Sequence, residues 1–260
     1  MTRTRAFILT TVIMSIVCSC KHEDPLIYKD PNKAIEDRVE DLLSRMTMEE
    51  KFGQLFMVPG DFSAGMEKYK DGIFGFQFNT RSSSTAHQVF NYAEGGNAEQ
   101  AAILVNKVQK YFVEETRLGI PIIPFDEALH GLVRKGATAY PSSIALAATW
   151  NTALMSDVAH AIAMETKTRG IRQILSPVLN IARDVRWGRT EETYGEDPFL
   201  TTQMGLAFIS EFENLGVICT PKHFVANVGD GGRDSYPIHF NERLLEEVYF
   251  PAFKAAFQEA

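Results

Sequence analysis

The chain has 260 residues, of which 45% are hydrophobic and 23% charged, with a formal net charge of -7. That balance is ordinary for a globular chain of one large domain or two small ones, and it argues against a long nucleic-acid track. No run of like charge is long enough for a disordered tail or a membrane-binding patch.

The first 20 residues read as an export signal. Arg3 and Arg5 precede the apolar run from Ala6 to Val17, which is too short for a bilayer span of about 20 residues but suits a secretory segment. Val17-Cys18-Ser19-Cys20 has the form of a bacterial lipoprotein cleavage box; the alternative is an ordinary signal cut after a small residue. In the first case Cys20 is lipidated and anchors the chain to a membrane in the cell envelope, with residues 21–33 as a polar tether and 34–260 as the folded domain. Cys219 is then the remaining thiol, set in an apolar run and expected to be an inert core residue.

A helix near Thr47 to Val58 and a strand near Ile73 to Phe78 form a first unit. Three clearer units follow, each an amphipathic helix stopped by glycine and then a β-rich run. The first helix runs from about Asn97 to Leu118 with Ala101, Val105, Val108 and Phe112 on one face; Gly119 stops it and Ile120 to Phe125 is the strand. The second runs from about Asn151 to Arg169 with Leu154, Val158 and Ile162 in register, then Gly170 and a strand from Ile174 to Leu179. The third has Asp197 as N-cap, Pro198 at the first helical position and Met204, Phe208 and Phe212 as its stripe, then Gly216 and a strand from Val217 to Thr220. Beyond Phe240, Leu244, Leu245 and Val248 resume a helical pattern that Pro251 interrupts. Alternating helices and strands predict an α/β fold with a parallel sheet, open or closed into a barrel.

In a (β/α) barrel the chemistry lies past the C-terminal ends of the strands. Those positions hold Asp126 and Glu127, then Arg183 and Asp184, then Lys222 and His223. The loop from Arg183 to Pro198 packs arginines and carboxylates around Trp187, Gly188 and Gly195, the composition of a salt-bridged loop. No His-Glu-x-x-His, paired cysteine or nucleotide-binding glycine loop is present, so neither metal nor cofactor is implied. Gly229-Asp230-Gly231-Gly232 reads as a turn, and His22, His87, His160 and His239 lack ligand-like spacing.

The segments Phe125-Asp126-Glu127-Ala128-Leu129-His130-Gly131, Ala137-Thr138-Ala139-Tyr140-Pro141, Leu146-Ala147-Ala148-Thr149-Trp150, the loop Arg183 to Pro198, and Pro221-Lys222-His223-Phe224 occur in this order between Ile120 and Tyr236. Together they resemble the catalytic barrel of the family 3 glycoside hydrolases. The resemblance implies the N-terminal part of a (β/α)8 TIM-like barrel and a retaining exo-β-glycosidase that removes single sugars from oligosaccharides. Arg183, Lys222 and His223 match the family's hydroxyl-binding positions. Glu127 falls where many of its β-glucosidases carry an Asp, and the sequence Glu-Ala-Leu-His-Gly is similar to the β-xylosidase branch. One extra methylene crowds the place of a glucose hydroxymethyl, a difference that discriminates about 10- to 200-fold, so xylose is favoured over glucose. Asp126 is the contacting residue if the loop register differs.

Retaining hydrolysis needs two carboxyl groups about 5–5.5 Å apart. The family places its nucleophile Asp and acid/base Glu well past the Lys-His segment, so both are expected beyond residue 260, and Glu191, Glu192 and Asp197 are expected to be structural. The chain is therefore expected to be a truncated form that holds sugar without the catalytic pair. Two alternatives stand beside this: an inactive, lipid-anchored sugar-binding remnant, and a Schiff-base aldolase using Lys222.

Overall fold

The computed structural model describes residues 25–59, 62, 65–78, 97–229 and 237–260. The chain divides into two compact units, 1–46 and 47–260. The signal, Cys20, His22 and His87 lie outside the described residues, as does most of the Gly229–Gly232 turn.

In the first unit a 3-10 turn, Ile27–Lys29, leads to helix α1, Ile35–Arg45. Asp41 ties the two together, accepting from Tyr28 N at 3.0 Å and from Arg45 Nε at 2.9 Å. The turn falls within the stretch expected to be a tether.

The second unit is built on five parallel strands: β1 (Met57–Pro59), β2 (Gly75–Gln77), β3 (Ile123–Asp126), β4 (Gln173–Ile174) and β5 (Ile218–Cys219). They lie side by side in chain order, with Met57 opposite Gly75, Gly75 opposite Ile123, Phe125 opposite Gln173 and Gln173 opposite Ile218. A doubly wound sheet reverses direction at a switch point, whereas a sheet wound in strict order follows the path of a (β/α) barrel. Among the described strands, β1 and β5 are the edges.

Helices α2 (Met48–Gly53), α3 (Ala98–Glu114), α4 (Ser143–Ala147), α5 (Thr152–Thr168) and α6 (Pro198–Asn214) fill the connections. A short helix α7 (Glu242–Leu244), a π-turn (Leu245–Tyr249) and helix α8 (Phe250–Gln258) follow β5. The polar residues that start α2, α3, α5, α6 and α7 supply acceptors to orphan N–H groups. Thr47 and Asn97 form capping boxes with Glu50 and Gln100, while Asn151 and Asp197 accept from Leu154 N and Leu200 N at 3.0 and 2.6 Å. Gly170 and Gly216 follow α5 and α6 with φ of 81° and 72°, a left-handed turn that a Cβ disfavours.

The largest core lies between α5, α6 and α8, where Met155, Ile162, Met204, Phe208, Phe212 and Phe253 are buried. Phe208 and Phe212 stack with centroids 4.7 Å apart. A second cluster joins β2 to α3 through Phe76, Val108, Tyr111 and Phe112. A third gathers Val178, Ile181, Val228 and Tyr249 around Trp187.

Several elements differ from their sequence expectation. The helix expected through Val58 ends at Gly53, because Met57–Pro59 pairs with β2; a short apolar run does not distinguish helix from strand. α3 stops at Glu114, four residues early, and Thr116 Oγ1 donates to Phe112 O in the turn that follows. On α5 the buried stripe is Met155, Val158, Ala159, Ile162, Ala163 and Thr166, so Leu154 lies exposed one position off the core face. The strand expected over Ile174 to Leu179 is regular only at Gln173–Ile174, with a separate bridge from Val178 to Lys222. Helix α4 had no sequence expectation. At Pro251 the helical path is not interrupted; the π-turn precedes it, and Pro251 sits in the first turn of α8, where a missing N–H costs nothing.

Candidate functional site

The C-terminal ends of β3 and β5 and the loop after β4 meet around a cavity of 530 Å³. Glu127, Lys222, Arg189, Glu191 and Glu192 line it, together with the loop from Leu129 to Ala139. His130 holds that loop closed, its Nδ1 lying 3.0 Å from Tyr140 O.

Lys222 is fixed first by its backbone. Its N–H donates to Pro177 O at 2.9 Å and its carbonyl accepts from Leu179 N at 2.8 Å. The side chain then reaches Glu127, with Nζ 3.0 Å from both carboxylate oxygens. Burial pushes the Glu127 carboxyl up, and the Lys222 ammonium opposes that rise.

His223 turns away from the Glu127–Lys222 pair towards Arg189. Its Nε2 lies 2.8 Å from Arg189 Nη1, and its Nδ1 lies 3.1 Å from the Oδ1 of the fully buried Asn180. Arg189 in turn clasps Glu192 in a two-point pair, Nε to Oε1 at 2.7 Å and Nη2 to Oε2 at 2.6 Å. Such fork-on-carboxylate geometry fixes the guanidinium plane. The peptide bonds Ser176–Pro177, Lys222–His223 and Phe224–Val225 are cis.

Of the residues expected to form the site, Glu127 and Lys222 are brought into direct contact, and His223 joins the cavity wall through Arg189. Asp126 is placed differently. It is 1% exposed, accepts from Gln77 Nε2 at 3.1 Å and from Glu127 N at 2.9 Å, and is ion-paired with Arg134. The carboxylate faces into the fold and anchors the end of β3. Arg183 is exposed and lines a separate, open hollow of 310 Å³ with Glu196, Pro198, Leu244 and Val248, where its side chain hydrogen-bonds Tyr249. Burial of Trp187 in the third cluster bends the loop between the two arginines, so Arg189 rather than Arg183 reaches the cavity.

The loop is salt-bridged as its composition implied. Arg186 pairs with Asp184, which holds that half-buried carboxyl down at about 2, and Arg189 pairs with Glu192. Glu192 and the N-cap Asp197 therefore have structural work. Arg189 and Asn180 had no sequence expectation. An Arg three residues before a Glu across the 3-10 turn Thr190–Glu192 is a local signal for the first. Nothing local marks Asn180.

Away from the cavity, His160 pairs with Glu211 at 3.1 Å and His239 is exposed. Among the described residues no group of three or more His, Cys, Asp or Glu is arranged to hold a metal ion. Burial pushes the Cys219 thiol up, which makes it a poor nucleophile.

The model of the glycosyl hydrolase family 3 N-terminal domain matches residues 47–260. A beta-xylosidase of Formosa agariphila is 40% identical over 164 residues, covering 55% of this chain and 22% of the relative. A beta-glucosidase of Bacteroides ovatus is 28% identical over 98% of this chain and 30% of its own length. Among solved structures, a β-glucosidase from Erythrobacter marinus superposes with a TM-score of 0.76 at 30% identity, covering 90% of this chain and 31% of that one. The chain thus spans less than a third of the length of each.

Proposed function

The chain belongs to glycosyl hydrolase family 3, and on that premise we propose that its cavity holds the terminal sugar of a β-linked oligosaccharide for a retaining exo-β-glycosidase. One observation carries this reading. Glu127 and Lys222, expected from sequence to grip ring hydroxyls, form a single ion pair on the cavity wall at 3.0 Å. An acceptor pair and an ammonium side by side can take and give hydrogen bonds to neighbouring hydroxyls without losing each other. Arg189, tied to His223 and Glu192, adds a rigid fork beside them.

We assign the sugar to xylose ahead of glucose. The length of Glu127 supports this, and so does the likeness to a beta-xylosidase. The catalytic carboxyl pair is not assigned to residues of this cavity. Glu127 is tied to Lys222, Glu192 to Arg189 and Asp126 to Arg134, which leaves each in a positioning role. The same ion pair disfavours the aldolase reading, since a Schiff-base lysine must shed its proton and Glu127 stabilises the ammonium. Export with a lipid anchor on Cys20 remains part of the proposal, resting on the Val17–Cys20 box; loss of palmitate labelling in Cys20→Ala is the expected result.

The test is direct binding. Saturation-transfer NMR on the chain with methyl β-xyloside and methyl β-glucoside is expected to show the xyloside binding better, and Lys222→Met to abolish both signals. Equal, Lys222-independent signals, or none, would refute the assignment.

A further inference from the structure

Asn180 makes an unusually complete set of contacts for a buried amide. Its Nδ2 donates to His223 O and to Val225 O, both at 3.0 Å. Its Oδ1 accepts from His223 N at 2.8 Å and faces His223 Nδ1 at 3.1 Å. Three of these contacts fix the orientation of the amide without reference to the imidazole. Two partners are carbonyl oxygens, which only accept, and one is a backbone N–H, which only donates. Rotating the amide by half a turn would set oxygen against oxygen twice and nitrogen against N–H once.

The oxygen of Asn180 therefore faces the ring, and His223 Nδ1 must carry the hydrogen. The other side of the ring leads to the same conclusion independently. Arg189 Nη1 lies 2.8 Å from Nε2, and a guanidinium only donates, so Nε2 must offer a lone pair. Donor on one side and acceptor on the other leave the neutral Nδ1–H tautomer as the form that satisfies both neighbours.

We propose that Asn180 is a positioning residue of the sugar cavity: it locks His223 in the Nδ1–H tautomer and so makes the Nε2 lone pair a seat for Arg189. The relay runs from Asn180 through His223 and Arg189 to Glu192, and it ends on two residues that line the cavity. In this arrangement His223 and Glu192 together fix the Arg189 guanidinium on the cavity wall. This rests on the reading of the cavity as a sugar site, but the state of the ring can be measured whether or not sugar binds.

The experiment is a long-range ¹H–¹⁵N correlation spectrum of the chain carrying ¹⁵N-histidine, at neutral pH. His223 is identified as the ring lost in His223→Gln. The expected pattern has a protonated Nδ1 and an unprotonated Nε2. It is expected to persist in Arg189→Met, which keeps Asn180, and to vanish in the double variant Asn180→Ala/Arg189→Met, which removes both neighbours of the ring. An Nε2–H pattern in the unaltered chain overturns the proposal, and so does the Nδ1–H pattern surviving in the double variant. If the double variant fails to fold, the unaltered spectrum and Arg189→Met still decide, because loss of the pattern in Arg189→Met would make Arg189 the determinant and overturn the proposal. Absence of sugar binding with the Nδ1–H pattern intact would count against the function proposed for the cavity and leave the tautomer assignment standing.

Discussion

The Glu127–Lys222 pair allows a quantitative test of how the cavity is held. Lys222→Met removes the ammonium from a pair whose side chains are 24% and 13% exposed. Opposite unit charges about 4 Å apart attract by about 4 kcal/mol at an effective dielectric of about 20. The loss on mutation is limited, because a stranded Glu127 can take a proton instead of staying charged. Protonating an ordinary glutamate costs about 3.7 kcal/mol at pH 7 and about 1 kcal/mol at pH 5. Part of that cost is already present in the unaltered chain, where burial holds the carboxyl up. The expected destabilisation is therefore about 2–3 kcal/mol at pH 7, below the usual 3–5 kcal/mol for a broken buried pair, and under about 1 kcal/mol at pH 5. The sign follows from linkage. In Lys222→Met the folded-state pKa of Glu127 lies above its unfolded value, so the penalty is absent below the unfolded pKa and grows as pH rises towards the folded one. Urea unfolding at both pH values measures it, with Glu127→Gln/Lys222→Met as the variant that removes both charges and loses the pH dependence. Equal destabilisation at pH 5 and pH 7, or none at either, would show that the pair is not a buried ionic contact.

Four further outcomes are expected. Glu127→Asp should shift the ratio of nitrophenyl xyloside to nitrophenyl glucoside hydrolysis towards the glucoside by about 10-fold or more when assayed in a hydrolytically active preparation; an unchanged ratio refutes the size argument. Phe212→Ala, which empties a fully buried ring site stacked on Phe208, should cost about 3–5 kcal/mol by urea unfolding, and a loss below about 1 kcal/mol would contradict the packing. Glu50 is buried and its carboxyl is held down chiefly by Arg117; that stabilisation is present above the unfolded pKa of about 4.3 and is lost as pH falls through the folded value. Arg117→Met should accordingly flatten the acid limb of the stability profile. Finally, Phe224 and Phe257 are exposed and β5 is an edge among the described strands, so light scattering should find the chain associating; a monodisperse monomer would refute this.

How much of this was legible depended on how local each signal was. Asp197 followed by Pro198 announced the start of α6, and the glycine stops announced the ends, because caps and left-handed turns are decided within a few residues. The polar ends of β3 and β5 were equally visible, and two of the residues they carry, Glu127 and Lys222, meet in the structure. Leu154 and Met155 are adjacent apolar residues on one helix, and only the tertiary partner decides which of them faces inward. The choice between Arg183 and Arg189 was illegible for the same reason. Both occupy one loop, and it is the burial of Trp187 among residues from distant segments that sends one guanidinium to the cavity and leaves the other exposed.

Glu127 and Lys222 are 95 residues apart in sequence and belong to the ends of β3 and β5, which flank β4. Neighbouring strands are about 4.8 Å apart, so the two ends are separated by roughly 10 Å. A contact at 3.0 Å across that gap needs two long side chains and nothing bulky between them. Just past the end of β4, between the two, the chain carries Ser176, which is small, buried and 3.3 Å from Ala128 N through its hydroxyl. If the cavity holds a sugar as proposed, the extra methylene of Glu127 has two consequences at once: it takes up room beside that sugar and it extends the reach to Lys222. Glu127→Asp changes both, whereas Glu127→Gln keeps the length and removes the charge. If length sets the specificity, Glu127→Gln should bind sugar more weakly but keep the preference for xyloside over glucoside. If the ion pair sets it, Glu127→Gln and Glu127→Asp should lose the preference together, and the steric account of Glu127 fails.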